Sequence, residues 1–205
     1  MAVITISRQF GAGGKTIGKR VSDALGYTFV DEDIIQMIAE KAKVSPGWVE
    51  SVEKEAGGRL SRIVTRMVSK PLVERILKDD YGYIDEQIYI DYLVVIIAQM
   101  AEEGDVLFLD RGSQYILNDF PGAFHVLLIN TFENRVQFMV DRYKMSTNKA
   151  TQVVKSEEKR RTNLYRKIGK QDFDHPELYH LVLNMAKFDL DNAVETIVRL
   201  AGGTD

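Results

Sequence analysis

The chain has 205 residues, 45% hydrophobic and 28% charged, a composition that fits one folded domain and excludes wholesale disorder. Lys and Arg number 27 against 30 Asp and Glu, so the net charge is −3 and the basic surplus of a nucleic-acid-gripping protein is missing. There are no cysteines, which excludes disulfides, thiolate metal sites and a cysteine nucleophile.

The chain opens with a short apolar run that has no basic segment before it, so no secretory signal is expected. Residues 93–98 form the most apolar later stretch and fall far short of the roughly 20 residues that span a bilayer. A cytoplasmic protein without membrane partners is the expectation. Residues 3–7 alternate and are β-branched, which predicts a strand. Residues 15–25 carry Ile17, Val21 and Leu25 at helical spacing and stop at Gly26, a residue suited to the position after a helix. A short strand over 27–30 and a helix to about 43 follow. Residues 46 to 104 read as mostly helical, with breaks near 57–58 and 79–82. The continuous apolar runs at 106–109 and 124–129 suit parallel strands buried on both faces. Helices over 131–145 and 149–167, a strand over 180–183 and a helix over 190–200 complete the chain. Strands alternating with helices predict an α/β fold with about five parallel strands between two helical layers.

Between the first strand and the first helix stands Ser7-Arg-Gln-Phe-Gly11-Ala12-Gly13-Gly14-Lys15-Thr16. Strand, glycine-rich loop, then Lys and Thr opening a helix is the arrangement of a phosphate-cradling P-loop. Glycines let backbone N–H groups converge on a phosphate at the positive end of the helix. Lys15 would neutralise the β- and γ-phosphates of ATP, and the Thr16 hydroxyl would ligate Mg²⁺. Gln9 stands where the first glycine of that motif belongs. A dinucleotide-binding fingerprint is met in part by Gly11, Gly13 and Asp31, but its third glycine would fall on Thr16 and Lys15 would have no task in it.

The loop, with Leu25-Gly26-Tyr27 and Asp31, then Asp110-Arg111-Gly112 and Tyr115-Ile-Leu, resembles the cytidylate kinase-like family of P-loop phosphotransferases. The likeness continues through Lys159-Arg160-Arg161 to Tyr165 and through residues 174–184, in family order from residue 3 to about 198. It implies a single kinase-like domain over 1–205, with a core of 1–45, 104–146 and 171–205, a helical acceptor-binding insert over 46–103 and a helical lid over 147–170. It also implies transfer of the γ-phosphoryl of Mg·ATP to a small acceptor, a nucleoside monophosphate such as CMP ahead of an alcohol or sugar. The alternative is a catalytically weak nucleotide-binding regulatory protein. Two departures bear on the acceptor. The acidic-Ser-Gly…Tyr-Arg segment of cytidylate kinases is replaced by Asp31-Glu32-Asp33-Ile-Ile-Gln36-Met37, without its arginine, and Gly-Arg-Asp is replaced by Asp110-Arg111-Gly112.

Arg111, just past a buried strand, would lie at the carboxyl edge of the sheet, and its fork suits an acceptor phosphate. The plain alternative is an ion pair with Asp31 or Asp33. Asp110 ends the same strand and would hold Mg²⁺ through water, or else cap a helix. Residues 155–170 carry seven basic side chains against Glu157 and Glu158, a local reversal of sign. Closed over ATP, Lys159 and Arg161 would stabilise transition-state charge and Arg160 would bind the nucleotide; as a solvated helix face they would do neither. Asp31, with Asp33, would bind the acceptor, and with an alcohol acceptor a carboxylate base becomes useful. Arg135 would flank the adenine or pair with Glu133 or Asp141. His125, in an apolar strand, reads as a hydrogen-bonded core residue. The Tyr and Met side chains between 81 and 100 read as helix packing or as a homodimer face.

Overall fold

The computed structural model describes residues 2–33, 86–170 and 173–202. The helix expected over 31–43 lies outside them beyond residue 33, as do Gln36, Met37 and residues 46–85 of the insert. The described elements are β1 (Val3–Arg8), α1 (Gly14–Leu25), β2 (Thr28–Val30), α2 (Glu86–Glu103), β3 (Val106–Leu109), α3 (Ser113–Ile116), β4 (Ala123–Ile129), α4 (Phe132–Tyr143), α5 (Thr147–Lys167), β5 (Leu181–Asn184) and α6 (Leu190–Ala201). The strands form one sheet in the order β2-β3-β1-β4-β5, and every neighbouring pair is parallel. Predicted and observed bounds agree to within about two residues. The short helix α3 was not foreseen; four residues carry no readable periodicity.

Alternation along the strands sorts side chains into two layers. Val3, Val106 and Phe108 join Leu93, Ile97 and Met100 of α2 on one face. Ile4, Ile6, Leu107, Leu109, Val126 and Leu128 meet Ile17, Val21, Ala193 and Ile197 of α1 and α6 on the other. A strand covered on both faces has little use for polar residues, which is why β3 reads as a continuous apolar run and β4 as one broken only by His125. The sheet between two helical layers is therefore the three-layer sandwich expected. A third, smaller cluster of Val136, Met139, Ala150 and Val154 packs α4 against α5, with Phe10 of the glycine loop at its edge. Thr131, Ser146 and Asp189 cap α4, α5 and α6 with side-chain oxygens, each satisfying an amide that the helix cannot. Among the described residues no helix is long and apolar enough to cross a membrane.

Two polar groups are built into the first face of the sheet. Thr5 is fully buried and its hydroxyl meets His125 Nδ1 at 2.7 Å, while the His125 amide donates to His180 Nδ1 at 3.0 Å. The His125 ring also bonds the Leu117 backbone, a contact that favours its protonated form and is outweighed by burial. Burial, and then the charge of His180, push the His125 imidazole down to about 4. An imidazole titrating near 6.5 when unfolded and near 4 when folded binds its proton preferentially in the unfolded state, so it stabilises the fold above pH 6.5 and loses that contribution as the pH falls toward 4. The loss should reach roughly 2–3 kcal/mol. Urea unfolding of the wild-type protein and His125→Gln at pH 7 and pH 4.5 should show a gap between them that shrinks on acidification; a constant gap would place the titration elsewhere.

Candidate active site

Parallel strands point their carboxyl ends the same way, so Arg8 at the end of β1, residues 31–33 after β2 and residues 110–111 after β3 converge on one edge of the sheet. Helix α5 lies over that edge. Between them is a cleft of about 450 Å³, lined by Arg8, Glu32, Ile90, Asp110, Arg111 and, from α5, residues between 156 and 167.

The glycine loop has the geometry of a phosphate cradle. Gly11 and Gly13 adopt φ of 92° and 85°, which side chains resist. Gly13 caps α1 and offers no side-chain oxygen, so the first amides of the helix face outward for an anion. Gly14 admits no side chain for a different reason: a Cβ there would lie 2.2 Å from Arg8 Cδ. Gln9, in place of the usual first glycine, ties the loop to the end of β4: its side-chain oxygen accepts from the Asn130 amide at 3.0 Å, and its own amide donates to Leu128 O at 3.0 Å. Gly11, Ala12, Gly13 and Gly14 are buried, Thr16 is half-buried and Lys15 is exposed at the mouth. A glycine-rich, uncapped loop of this shape fits the phosphates of ATP. For Mg²⁺, the donors at hand are the Thr16 hydroxyl and the Asp110 carboxylate, and no group of three acidic or histidine ligands occurs among the described residues. This suits a cation carried mainly by phosphate oxygens and water.

Lys15, Arg111, Arg135, Arg160 and Arg161 are each met by a carboxylate. Lys15 Nζ lies 2.8 Å from Asp31 and 3.0 Å from Asp33; the hydrogen bonds to these two carboxylates hold its ammonium well above the usual lysine range. Glu32, between them in sequence, turns the other way and pairs with both Arg111 and Arg160. Arg111 therefore has an acidic partner in Glu32 and not in Asp31 or Asp33, as its plain alternative had it. Arg135 likewise pairs with Glu158 at 2.8 Å, not with Glu133 or Asp141, and donates to the Phe10 carbonyl at 3.3 Å. Lys159 is exposed at the cleft wall.

Arg161 is the buried centre of the arrangement, 8% exposed. It donates to Glu158 at 2.9 Å and to both oxygens of Asp174, the first of these at 2.9 Å. Its Nε lies 3.8 Å from Asp110, and its guanidinium sits 4.8 Å over the ring of fully buried Tyr165. Burial opposes its charge, but the Tyr165 oxygen and the Asp174 and Asp110 carboxylates outweigh that and hold it above the usual guanidinium range. Burial pushes the Tyr165 phenol up to about 12, so it stays neutral. The Asp110 carboxylate also accepts from the Arg8 amide at 3.1 Å and lies 3.1 Å from Arg8 Nε. Glu158 accepts from the Phe10 amide at 3.1 Å, which pins α5 to the glycine loop.

Asp110 and Arg111 both adopt left-handed backbone, φ 61° and 59°, as does Asp174 at 64°. Each such residue costs on the order of 1 kcal/mol. That turn lifts Arg111 into the cleft while Asp110 stays beside Arg8, and Ser113 fixes it by donating its amide and hydroxyl to the Asp110 carbonyl at 3.2 and 2.9 Å. Arg8, Glu32, Glu158 and Asp174 carry the site and were not singled out from sequence. Arg8 could have been, because it ends β1 at the glycine loop. Glu158 could not, since one of two adjacent acids in a basic run looks like charge dilution. Removing Arg161 would strand half-buried Asp174, while Asp110 keeps Arg8; Arg161→Met should therefore destabilise the fold by about 3 kcal/mol in urea unfolding. A loss below about 0.5 kcal/mol would mean that Arg161 is a solvated surface charge.

The cytidylate kinase-like family profile matches residues 3–187. No curated protein sequence matches the chain. Among solved structures, the chain is similar to an uncharacterized protein from Eubacterium ventriosum, with a TM-score of 0.68, 16% identity and 98% of each chain covered. A gluconokinase from Sinorhizobium meliloti gives 0.50 and 14%, covering 98% of this chain and 94% of its own. Shikimate kinase from Acinetobacter baumannii gives 0.49 and 15%, covering 98% and 92%. The first two likenesses speak for the fold alone, and the family profile, spanning most of the chain and the glycine loop with it, speaks for more: the chain belongs to the cytidylate kinase-like family and is a P-loop kinase.

Proposed function

We propose that the protein transfers the γ-phosphoryl of Mg·ATP to a phosphorylated small acceptor, a nucleoside monophosphate first and CMP among them. One observation carries this reading. The cleft beside the glycine loop is lined by six cationic side chains, Arg8, Arg111, Lys159, Arg160, Arg161 and Lys167, against three acids, Glu32, Asp110 and Glu157, in a chain whose net charge is −3. Phosphoryl transfer needs little covalent chemistry from a protein; it needs two anions held in line and charge to offset what develops on the migrating group.

In this reading the amides of residues 11–16 hold the donor phosphates and Lys15 lies along them. Thr16 and Asp110 would hold Mg²⁺, which when bound neutralises charge on the phosphate oxygens. Arg135 serves the donor side; Arg160, expected to bind ATP, stands with Arg111 at the Glu32 carboxylate and so reaches the acceptor as well. Arg111 faces the acceptor, and Asp31 and Asp33 meet it from the Lys15 side. Lys159 and Arg161 offset transition-state charge from α5, Arg161 with its orientation already fixed by Asp174 and Glu158. A nucleoside monophosphate is an anionic nucleophile at neutral pH, so no base is required.

A second reading rests on the Asp31 carboxylate, which stands 2.8 Å from Lys15 and is largely buried. A carboxylate so close to the phosphate-binding lysine would take the proton of an alcohol acceptor. Acceptor-dependent ADP release with Mg·ATP, screened over nucleoside monophosphates, small alcohols and sugars, separates the two. A monophosphate should support turnover, Lys15→Ala should lower kcat by about 10²–10³ with the fold kept, and Arg111→Gln should raise the acceptor KM. Turnover on an alcohol that collapses in Asp31→Asn would favour the second reading. Stabilisation by ATP with no acceptor-dependent ADP release would identify a regulatory nucleotide binder instead.

A further inference from the structure

The acidic tripeptide after β2 faces two ways. Asp31 and Asp33 hold Lys15, and the Asp33 amide donates to Asp31 Oδ1 at 3.1 Å, which fixes the turn. Glu32, on the opposite side, reaches Arg111 at the end of β3 and Arg160 on α5. Among the described residues it is the one carboxylate that both arginines touch. Its grip on Arg111 uses a single arm, Nη2. Arg111 Nε is buried and has no hydrogen-bond partner among the described residues, which is costly for a guanidinium whose fork suits a bidentate anion.

We infer that Glu32 is an internal stand-in for the acceptor's anion and thereby a specificity-determining residue. Its carboxylate occupies the arginine pair until an incoming phosphate displaces it. This rests on the reading of the cleft as the seat of a phosphorylated acceptor. A neutral polyol offers Arg111 and Arg160 nothing to replace the carboxylate with. A monocarboxylate offers an even exchange. A phosphate brings more charge and a third oxygen, and spans both Nη2 and the unpartnered Nε. Because Arg160 lies on α5 and Arg111 on the sheet edge, displacing Glu32 also passes the contact between these two elements to the acceptor.

Binding of inorganic phosphate, measured by calorimetry at low salt without ATP, tests this. Glu32→Gln should tighten phosphate by about tenfold, the scale of one charge-assisted contact no longer competed for. Glu157→Gln, whose native side chain approaches Arg160 only to 3.7 Å, should stay within about twofold. The gain should vanish when Arg111→Gln is added to Glu32→Gln, which separates this site from the glycine loop. Glu32→Asp, too short to bridge both arginines, should fall between and guards against misfolding of the glutamine variant. Equal or weaker phosphate binding in Glu32→Gln, or a gain that survives Arg111→Gln, overturns the proposal. Phosphate binding is read without turnover, so a missing acceptor in the ADP-release screen and an absent competitor here give different results.

Discussion

Cations gathered at the edge of a parallel sheet repel one another and are partly stripped of water, so they cannot stand there alone. This constraint shapes the site more than any other. Moving a charge out of water costs several kcal/mol unless a partner and hydrogen bonds replace the solvent. Arg161, with 8% of its surface exposed, meets that demand from three directions, through Glu158, Asp174 and Asp110. Those acids come from α5 itself, from the segment before β5 and from the end of β3, so a single guanidinium draws three parts of the chain together. Glu158 then extends the network to the Phe10 amide and to Arg135. The position of α5 over the cleft follows from these contacts together with the apolar packing of Ala150 and Val154 beneath it.

The sheet supplies the other half of the geometry. With β1 between β3 and β4, and β2 outside β3, the loops after β1, β2 and β3 open side by side, each delivering a different kind of group. The loop after β1 brings backbone amides and Arg8. The one after β2 brings three carboxylates, and the one after β3 an aspartate and an arginine in left-handed backbone. That backbone is unfavourable for residues with a Cβ and persists because Ser113 and the Arg8 amide hold Asp110 from both sides. Strain of this kind fixes direction: a relaxed turn would let Arg111 follow the chain instead of standing in the cleft.

Much of the fold could be read from the sequence because a parallel sheet writes itself in runs: residues 106–109 are apolar without interruption and 124–129 are broken only by His125, and burial on both faces asks for that. The glycine loop was legible for a similar reason, since Gly13, Gly14, Lys15 and Thr16 answer a single chemical need at fixed spacing. The partners were not legible. Glu32 lies 79 positions from Arg111 and 128 from Arg160, and Asp174 approaches Arg161 only because Tyr165, stacked edge-on against Tyr115 at 5.1 Å, sets the end of α5 into the core. Sequence spacing informs on neighbours along a helix or strand. Pairs formed across loops depend on where whole elements dock, and local pattern does not carry that information.

The pairing of Lys15, Arg111 and Arg160 with carboxylates also changes how ligand binding should be understood. A phosphate that enters meets occupied donors: Lys15 shared by Asp31 and Asp33, Arg111 and Arg160 by Glu32. The free energy of each new contact is the difference between two charged pairs, so affinity comes from that difference and from geometry more than from gross attraction. Arg161 differs, because Glu158 and Asp174 hold both of its terminal nitrogens and it is 8% exposed. The site thus combines a fixed charge, whose orientation costs nothing further at the moment of reaction, with exchangeable ones that report whether an anion has arrived. A P-loop kinase has use for both, since charge that is already oriented lowers the barrier while charge that must be released makes the barrier depend on the right acceptor.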